Sequence, residues 1–317
     1  MIQMPGQSYQ GSLPPLTGEQ RTLAEELHSH VQTLAGQIGE RNVFHHDRLI
    51  MAAEYIRTTL AGVGYEVRRQ PYEVEGIICE NIEAEVRGSR RPDDIIVIGA
   101  HYDSVQGSPG ANDNASGVAA MLALARAFAD IAPARTLRLV AFTNEEPPFF
   151  QTEHMGSRVY AKRSRERTEK IVLMLSLETI GYYSDEPGSQ HLLFPLNLIY
   201  PSTGNFIAFI SNVENGFLVQ QLVGSFRQHV QFPSEGGALW DVIPGVGSSD
   251  HWAFWKEGFP AVMVTDTAPF RYPAYHSQAD RPELVQYERM ARVVTGLRAV
   301  IAEMANAPQW GRMNKRK

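Results

Sequence analysis

Cysteine is nearly absent from this chain of 317 residues: it has only Cys79, so no internal disulfide can form and the fold needs no oxidising compartment. With no histidine nearby in sequence, Cys79 reads as a small buried strand residue rather than a nucleophile. Long apolar runs are also missing. No stretch reaches the about 18 residues of a membrane-spanning helix, so no membrane partner is expected. Positive charge is sparse: 29 Lys and Arg against 35 Asp and Glu give a formal net charge of −6. No basic stripe stands out, which argues against nucleic acid as a partner. The one basic cluster, Lys315–Arg316–Lys317, reads as a solvated tail. Met1 to Pro15 lacks the charged and apolar regions of a signal peptide, which points to the cytoplasm; a secreted chain with its signal already removed would look the same. No G-x-S-x-G elbow and no H-E-x-x-H motif occurs, which disfavours a serine hydrolase and a zincin.

What is present is ordinary for a soluble globular protein: 43% hydrophobic and 20% charged residues. Residues 1–16, rich in Gln, Pro, Gly and Ser, read as a flexible arm, and 17–317 as a single catalytic domain with an insertion around 184–204. Thr17 can cap a helix in which Leu23, Ala24, Leu27, Val31 and Leu34 recur at helical spacing. A second helix is expected from Asp47 to Val63, then strands over 65–72 and 77–86. Downstream the pattern alternates. The apolar runs 94–100, 137–143, 171–177, 206–211 and 261–265 read as strands, and 114–130, 156–165, 216–230 and 287–305 as helices. This predicts an α/β fold, a mainly parallel mixed sheet with helices on both faces.

In such sheets, sites collect at the C-terminal ends of the strands. Here those ends carry ionisable groups: His101 and Asp103 after the first run, Glu145 and Glu146 after the second, Glu178 after the third, and Tyr275, His276 and Asp280 after the last. Asp113 precedes the Ala/Leu-rich helix. Two histidines and several carboxylates on one rim are a zinc donor set, and the set suits two ions better than one. With Asp113 as the bridge, His101 and Glu178 would complete one site, and Glu146 and His276 the other. Three carboxylates and a hydroxide balance two Zn²⁺, so the cluster can be buried. Glu145 is then left over as general base for a metal-activated water. Asp103 would orient His101, Asp280 would orient His276, and Tyr275 would donate to an oxyanion. Phe149, Phe150 and Trp252 are candidates for the substrate pocket, and Asp250–His251 for its wall or for support of the ligands. The remaining histidines have no partner that sequence names.

The segments HYDS (101–104), GANDNASG (110–117), NEE (144–146), LETIGYYS (177–184) and YHSQAD (275–280) resemble those of the M28 metallopeptidases, over about residues 45–305 and in the family's order. The resemblance implies an aminopeptidase-like fold, a pair of zinc ions, and release of the first residue from peptides with a free N-terminus. It supports the roles given above for His101, Asp113, Glu145, Glu146 and His276. It also implies a cis peptide bond between Asp113 and Asn114. One position departs: Glu178 stands where Asp is more usual, and its extra methylene would set back either the strand end or the second metal.

A glutaminyl cyclase-type acyl transferase, with one zinc on the same fold, is the alternative. Asp250–His251 resembles a feature of that group, whereas Tyr275 stands where those enzymes carry Trp, and the NDNAS segment is peptidase-like. A non-catalytic binding module would be expected to have lost ligands that are present here. The insertion, if it lies near the rim, would cap the pocket and limit substrate length.

Overall fold

The structure is a computed structural model describing residues 3–308; the basic run Lys315–Lys317 lies outside them. The strands are Arg68–Val74 (β1), Ile77–Val86 (β2), Arg91–His101 (β3), Arg135–Phe142 (β4), Lys170–Glu178 (β5), Ile207–Asn212 (β6), Ser234–Leu239 (β7) and Ala261–Thr265 (β8). They form one mixed sheet in the order β1-β2-β4-β3-β5-β8-β6-β7. The central strands β4, β3, β5 and β8 run parallel, β6 pairs β8 antiparallel, and β1 and β2 continue the other side antiparallel.

The helices are Gly18–Val31 (α1), His46–Gly62 (α2), Gly117–Phe128 (α3), Gly156–Glu166 (α4), Gly216–His229 (α5), His251–Lys256 (α6) and Tyr287–Asn306 (α7). Thr17 caps α1 in a capping box with Gln20. Strand alternation assigns the two faces. Ile96 and Ile98 of β3 join the core built with α1, α2, α3, α5 and α7, while Ile95 and Val97 join a second core with α4 and α6. No helix among the described residues is long and apolar enough to cross a membrane.

Two elements escape the hydrophobic pattern. β7 reads SEGGAL, and its glycines make room for neighbours: a Cβ on Gly236 would lie 2.6 Å from the Met4 sulfur, and one on Gly237 3.0 Å from the Tyr200 hydroxyl. α6 is a helix of six residues, too short to show a period. Residues 3–16, expected as a flexible arm, contain no helix or strand and run along α5 and β7. Arg227 donates to the carbonyls of Pro5 and Gly6, Gln220 to that of Gln3, and the Ser234 amide to Ser8 Oγ. The segment 184–204 is irregular apart from one 3₁₀ turn, Leu196–Leu198. The buried Arg271 ties it down, donating to Gln190 Oε1 (2.7 Å) and to the carbonyls of Gly204 (3.0 Å) and Phe206 (2.8 Å).

Candidate active site

Because β4, β3, β5 and β8 are parallel neighbours, their C-terminal ends share one rim. His101 ends β3, Glu178 ends β5, Glu145 and Glu146 follow β4, and the loop after β8 brings in Tyr275 and His276. His101 Nε2 lies 3.2 Å from Asp113 Oδ1 and 3.3 Å from Glu178 Oε2. His276 Nε2 lies 3.0 Å from Asp113 Oδ2 and 3.3 Å from Glu146 Oε2. Asp113 thus gives one oxygen to each of two clusters, His101–Asp113–Glu178 and Asp113–Glu146–His276, and within each cluster the donor atoms all lie within 4.8 Å of one another. His101 Nε2 and Asp113 Oδ1 are buried and have no hydrogen-bond partner. Two facing, unsatisfied electron-pair donors among imidazoles and carboxylates fit a zinc ion, which would supply the missing partner.

The turn that carries Asp113 is held from several sides. Gly110 has φ 62°, and a Cβ there would lie 2.4 Å from the Asp113 carbonyl oxygen, so the turn needs glycine. The Asp113–Asn114 bond is cis, as the family resemblance implies. Asn112 donates to Asp266 and accepts from the Gly181 amide; Asn114 donates to the Leu177 carbonyl and accepts from the Thr179 amide. These bonds dock the turn against the end of β5.

Asp280 departs from its expected role at His276. Its carboxylate instead accepts from the amides of Asn112 (2.8 Å) and Asp113 (3.0 Å) and from the Tyr272 hydroxyl (2.8 Å), so it steadies Asp113. Asp103 does touch His101, through its carbonyl oxygen 3.2 Å and its carboxylate 3.5 Å from Nδ1. Its carboxylate also receives the amides of Glu145 (3.2 Å) and Glu146 (3.1 Å), which aims both side chains. The longer Glu178 is held by Ser249, whose hydroxyl donates to Oε2 at 2.7 Å and in turn meets Ser176 Oγ at 2.8 Å. Arg41 is fully buried and donates to the carbonyls of Tyr102, Pro109 and Gly110, closing the loop that runs from His101 to Asp113. Neither Arg41 nor Ser249 carries a sequence signal, since each acts through one local contact set.

The crowding of acids sets the protonation. Burial, with Glu178, Glu146 and Asp250 adding to it, raises the Glu145 carboxyl well above its usual range. Burial and Asp113 do the same to Glu146, and burial raises Glu178. Burial works against a charged His101, yet Glu145 and Glu178 outweigh it and hold the imidazole well above 6.5. Burial also works against Asp113, but the attraction of the adjacent His101 and His276 imidazoles keeps it below the usual carboxylate range. Asp250, fully buried with both carboxylate oxygens unpartnered, is pushed by burial up to about 7, with Glu178 adding to the shift. His251 is pulled by burial down to about 4 and sits 2.7 Å from the Val246 carbonyl, a neutral core histidine rather than a ligand.

A narrow cleft of about 70 Å³ opens beside Glu178 and Tyr275. Met263 and Thr265 of β8, Ala208 and Ile210 of β6, and Glu235 of β7 form its floor; Leu196 and Phe206 face them. Its floor crosses two strand spacings, about 10 Å. The aromatics expected here are elsewhere. Phe149 is in the main core, Trp252 packs on the α4–α6 core with Lys256 over its ring, and Phe150 does not line the cleft. The loop that leaves Glu146 is exposed at Pro147, Pro148, Gln151 and Glu153 and buries Phe149, whereas Leu192, Leu196 and Tyr200, from the segment after β5, line the cleft. Tyr275 stacks on the His276 ring, centroids 3.9 Å apart, and burial raises its phenol, which keeps it a hydrogen-bond donor.

Comparison with known proteins agrees with this architecture. The chain is 37% identical over 282 residues to the uncharacterized protein YfbL of Escherichia coli K12, covering 86% of each. The fold is similar to that of an aminopeptidase from Aneurinibacillus sp. strain AM-1, at TM-score 0.70 and 17% identity over 91% of this chain and 95% of that one. It is similar as well to a glutaminyl cyclase from Fimbriiglobus ruber, at TM-score 0.67 and 20% identity over 93% and 97%. The sequence model of peptidase family M28 matches residues 81–301, and with that match over most of its length the chain belongs to peptidase family M28.

Proposed function

We propose that this chain is a zinc aminopeptidase with two metal ions, and one observation carries the reading: Asp113 offers one oxygen to His101 and Glu178 and the other to His276 and Glu146. Zinc bound by these residues would supply Lewis acidity toward a peptide carbonyl and toward water. Glu145 belongs to neither cluster, and its Oε2 lies 3.8 Å from His101 Nε2. A carboxyl raised by burial and by neighbouring acids is suited to accept a proton from the attacking water near neutral pH and to return it to the departing amine. Tyr275 donates its hydroxyl hydrogen bond to the carbonyl oxygen as negative charge develops there. The excess of buried carboxylates favours a cation, and the substrate's free α-amine supplies one. The first side chain then enters the apolar cleft beside Glu178, so the preferred first residue is long and apolar.

Asp250 favours a second reading. A fully buried acid with no hydrogen-bond partner, close enough to raise Glu145, suits the proton shuttling of an acyl transferase that cyclises N-terminal glutamine. Mass spectrometry of a peptide panel incubated with zinc-loaded protein separates the two. Peptides with free N-termini, including Gln, are compared with N-acetylated copies. Loss of one residue from the free peptides alone is the expected result. Loss of ammonia from the Gln peptides, without cleavage, would replace the peptidase reading with the cyclase.

A further inference from the structure

Beyond the cleft, the segments that wall it expose a second apolar surface. Leu193, Phe194, Ile199, Val213, Trp240 and Val242 line a groove of about 610 Å³ on its outer side. These are six of the 13 large hydrophobic side chains exposed among the described residues, so the exposure is concentrated in one place. Phe194 is 78% exposed, Trp240 65% and Val242 84%. Scattered apolar residues are normal on a surface, but a contiguous apolar groove marks a binding site.

The groove is continuous with the proposed active site. Leu196, Leu239, Pro244 and Phe270 line both groove and cleft, so its occupant lies one side chain away from the substrate's first residue. Its charges have one sign. Residues 184–204 and 234–248 contain no Lys or Arg, but contain Asp185, Glu186, Glu235 and Asp241. Arg289 pairs with Asp185 and Arg227 with Glu235, whereas Glu186, Asp241 and the neighbouring Glu214 are exposed and form no ion pair among the described residues. An apolar groove with free carboxylates around it selects against an anionic lipid surface, which attracts basic segments. It also selects against a second copy of the same face, which would oppose like charges.

We propose that this groove binds the downstream part of the substrate, and that the natural substrates are apolar peptides bearing Lys or Arg. The inference rests on the aminopeptidase reading above, and a binding measurement separates the two. Fluorescence anisotropy of a labelled, N-acetylated peptide with apolar and Lys residues reads the groove without any cleavage. Binding at least tenfold tighter than that of a Gly/Ser/Glu peptide of equal length is expected, weakened about tenfold by Trp240→Ser or Val242→Ser. In parallel, kcat/KM for a basic apolar peptide relative to a dipeptide with the same first residue should fall about tenfold in the same variants, through KM. Equal binding of both peptides, or variants that bind as the parent does, overturns the proposal. A dimer in sedimentation that Trp240→Ser dissociates, or binding to phosphatidylcholine vesicles that the same change removes, overturns it too, by giving the groove another occupant. Selective binding without hydrolysis of any peptide would support the groove while refuting the aminopeptidase.

Discussion

Replacing Glu145 with glutamine tests the proposed chemistry at one atom. Glutamine has nearly the same shape, so the buried site is neither emptied nor overpacked. The Glu145 amide, held by Asp103 Oδ1 at 3.2 Å, keeps the side chain aimed at the site. What disappears is the capacity to take and return a proton. Positioned acid–base groups contribute roughly 10²–10⁴-fold, and each factor of ten is about 1.4 kcal/mol of barrier. Glu145→Gln should therefore lower kcat by about two to four orders of magnitude, roughly 3–5 kcal/mol, with little change in KM. Zinc content should be unchanged, because Glu145 belongs to neither cluster. Steady-state kinetics on a leucyl peptide, with zinc measured by inductively coupled plasma mass spectrometry, gives both numbers. A variant that keeps kcat within tenfold of the parent at full zinc content would refute the assignment. Loss of zinc from the variant would instead place Glu145 among the ligands.

Three further outcomes follow from the same geometry. His101 and Glu146 hold their protons well above their usual ranges in the metal-free site, so zinc must displace them; calorimetry in buffers of different ionisation enthalpy should show net proton release and an affinity that rises with pH, and no proton release would contradict this protonation. Asp266 is raised by burial from 3.8 to about 7, so the unfolded chain ionises it first and the metal-free fold loses stability as pH climbs from about 4 to 7, by up to roughly 4 kcal/mol. Urea unfolding at pH 5 and pH 8 should show most of that loss on top of the one that Asp250 and Asp280 contribute, and Asp266→Asn should make the slope shallower without abolishing it; an unchanged pH slope in the variant would mean that other groups alone are responsible. Ala208→Phe fills the cleft floor, and should raise KM for leucyl and phenylalanyl peptides tenfold or more while sparing alanyl ones; equal effects on all three would place the first side chain elsewhere.

The parts of this fold that were legible in the sequence are those with a local signature. The runs 94–100, 137–143 and 171–177 became β3, β4 and β5, and the strand predicted at 261–265 has the same bounds as β8. Strand ends locate a rim, so His101, Glu146, Glu178 and His276 could be grouped before their distances were known. β7 was hidden because its glycines serve neighbours that are remote in sequence, Met4 and Tyr200. Phe149 and Phe150, named for their nearness to Glu145 in sequence, do not line the cleft beside Glu178, and neither does Trp252.

Arg41, and the backbone partners of Asp103 and Asp280, stayed hidden at the site for one reason. Asp280, Asp103 and Arg41 hold it together through main-chain partners: the Asn112 and Asp113 amides, the Glu145 and Glu146 amides, and the Tyr102, Pro109 and Gly110 carbonyls. A main-chain group is the same in nearly every residue, so the far end of such a bond leaves no trace in residue type. Side chains that meet side chains, as Asp113 meets two histidines, leave a trace at both ends. Sequence therefore names the atoms that meet a ligand more readily than the atoms that aim them, and the aiming atoms decide whether Glu145 is in place for the proton transfer proposed for it.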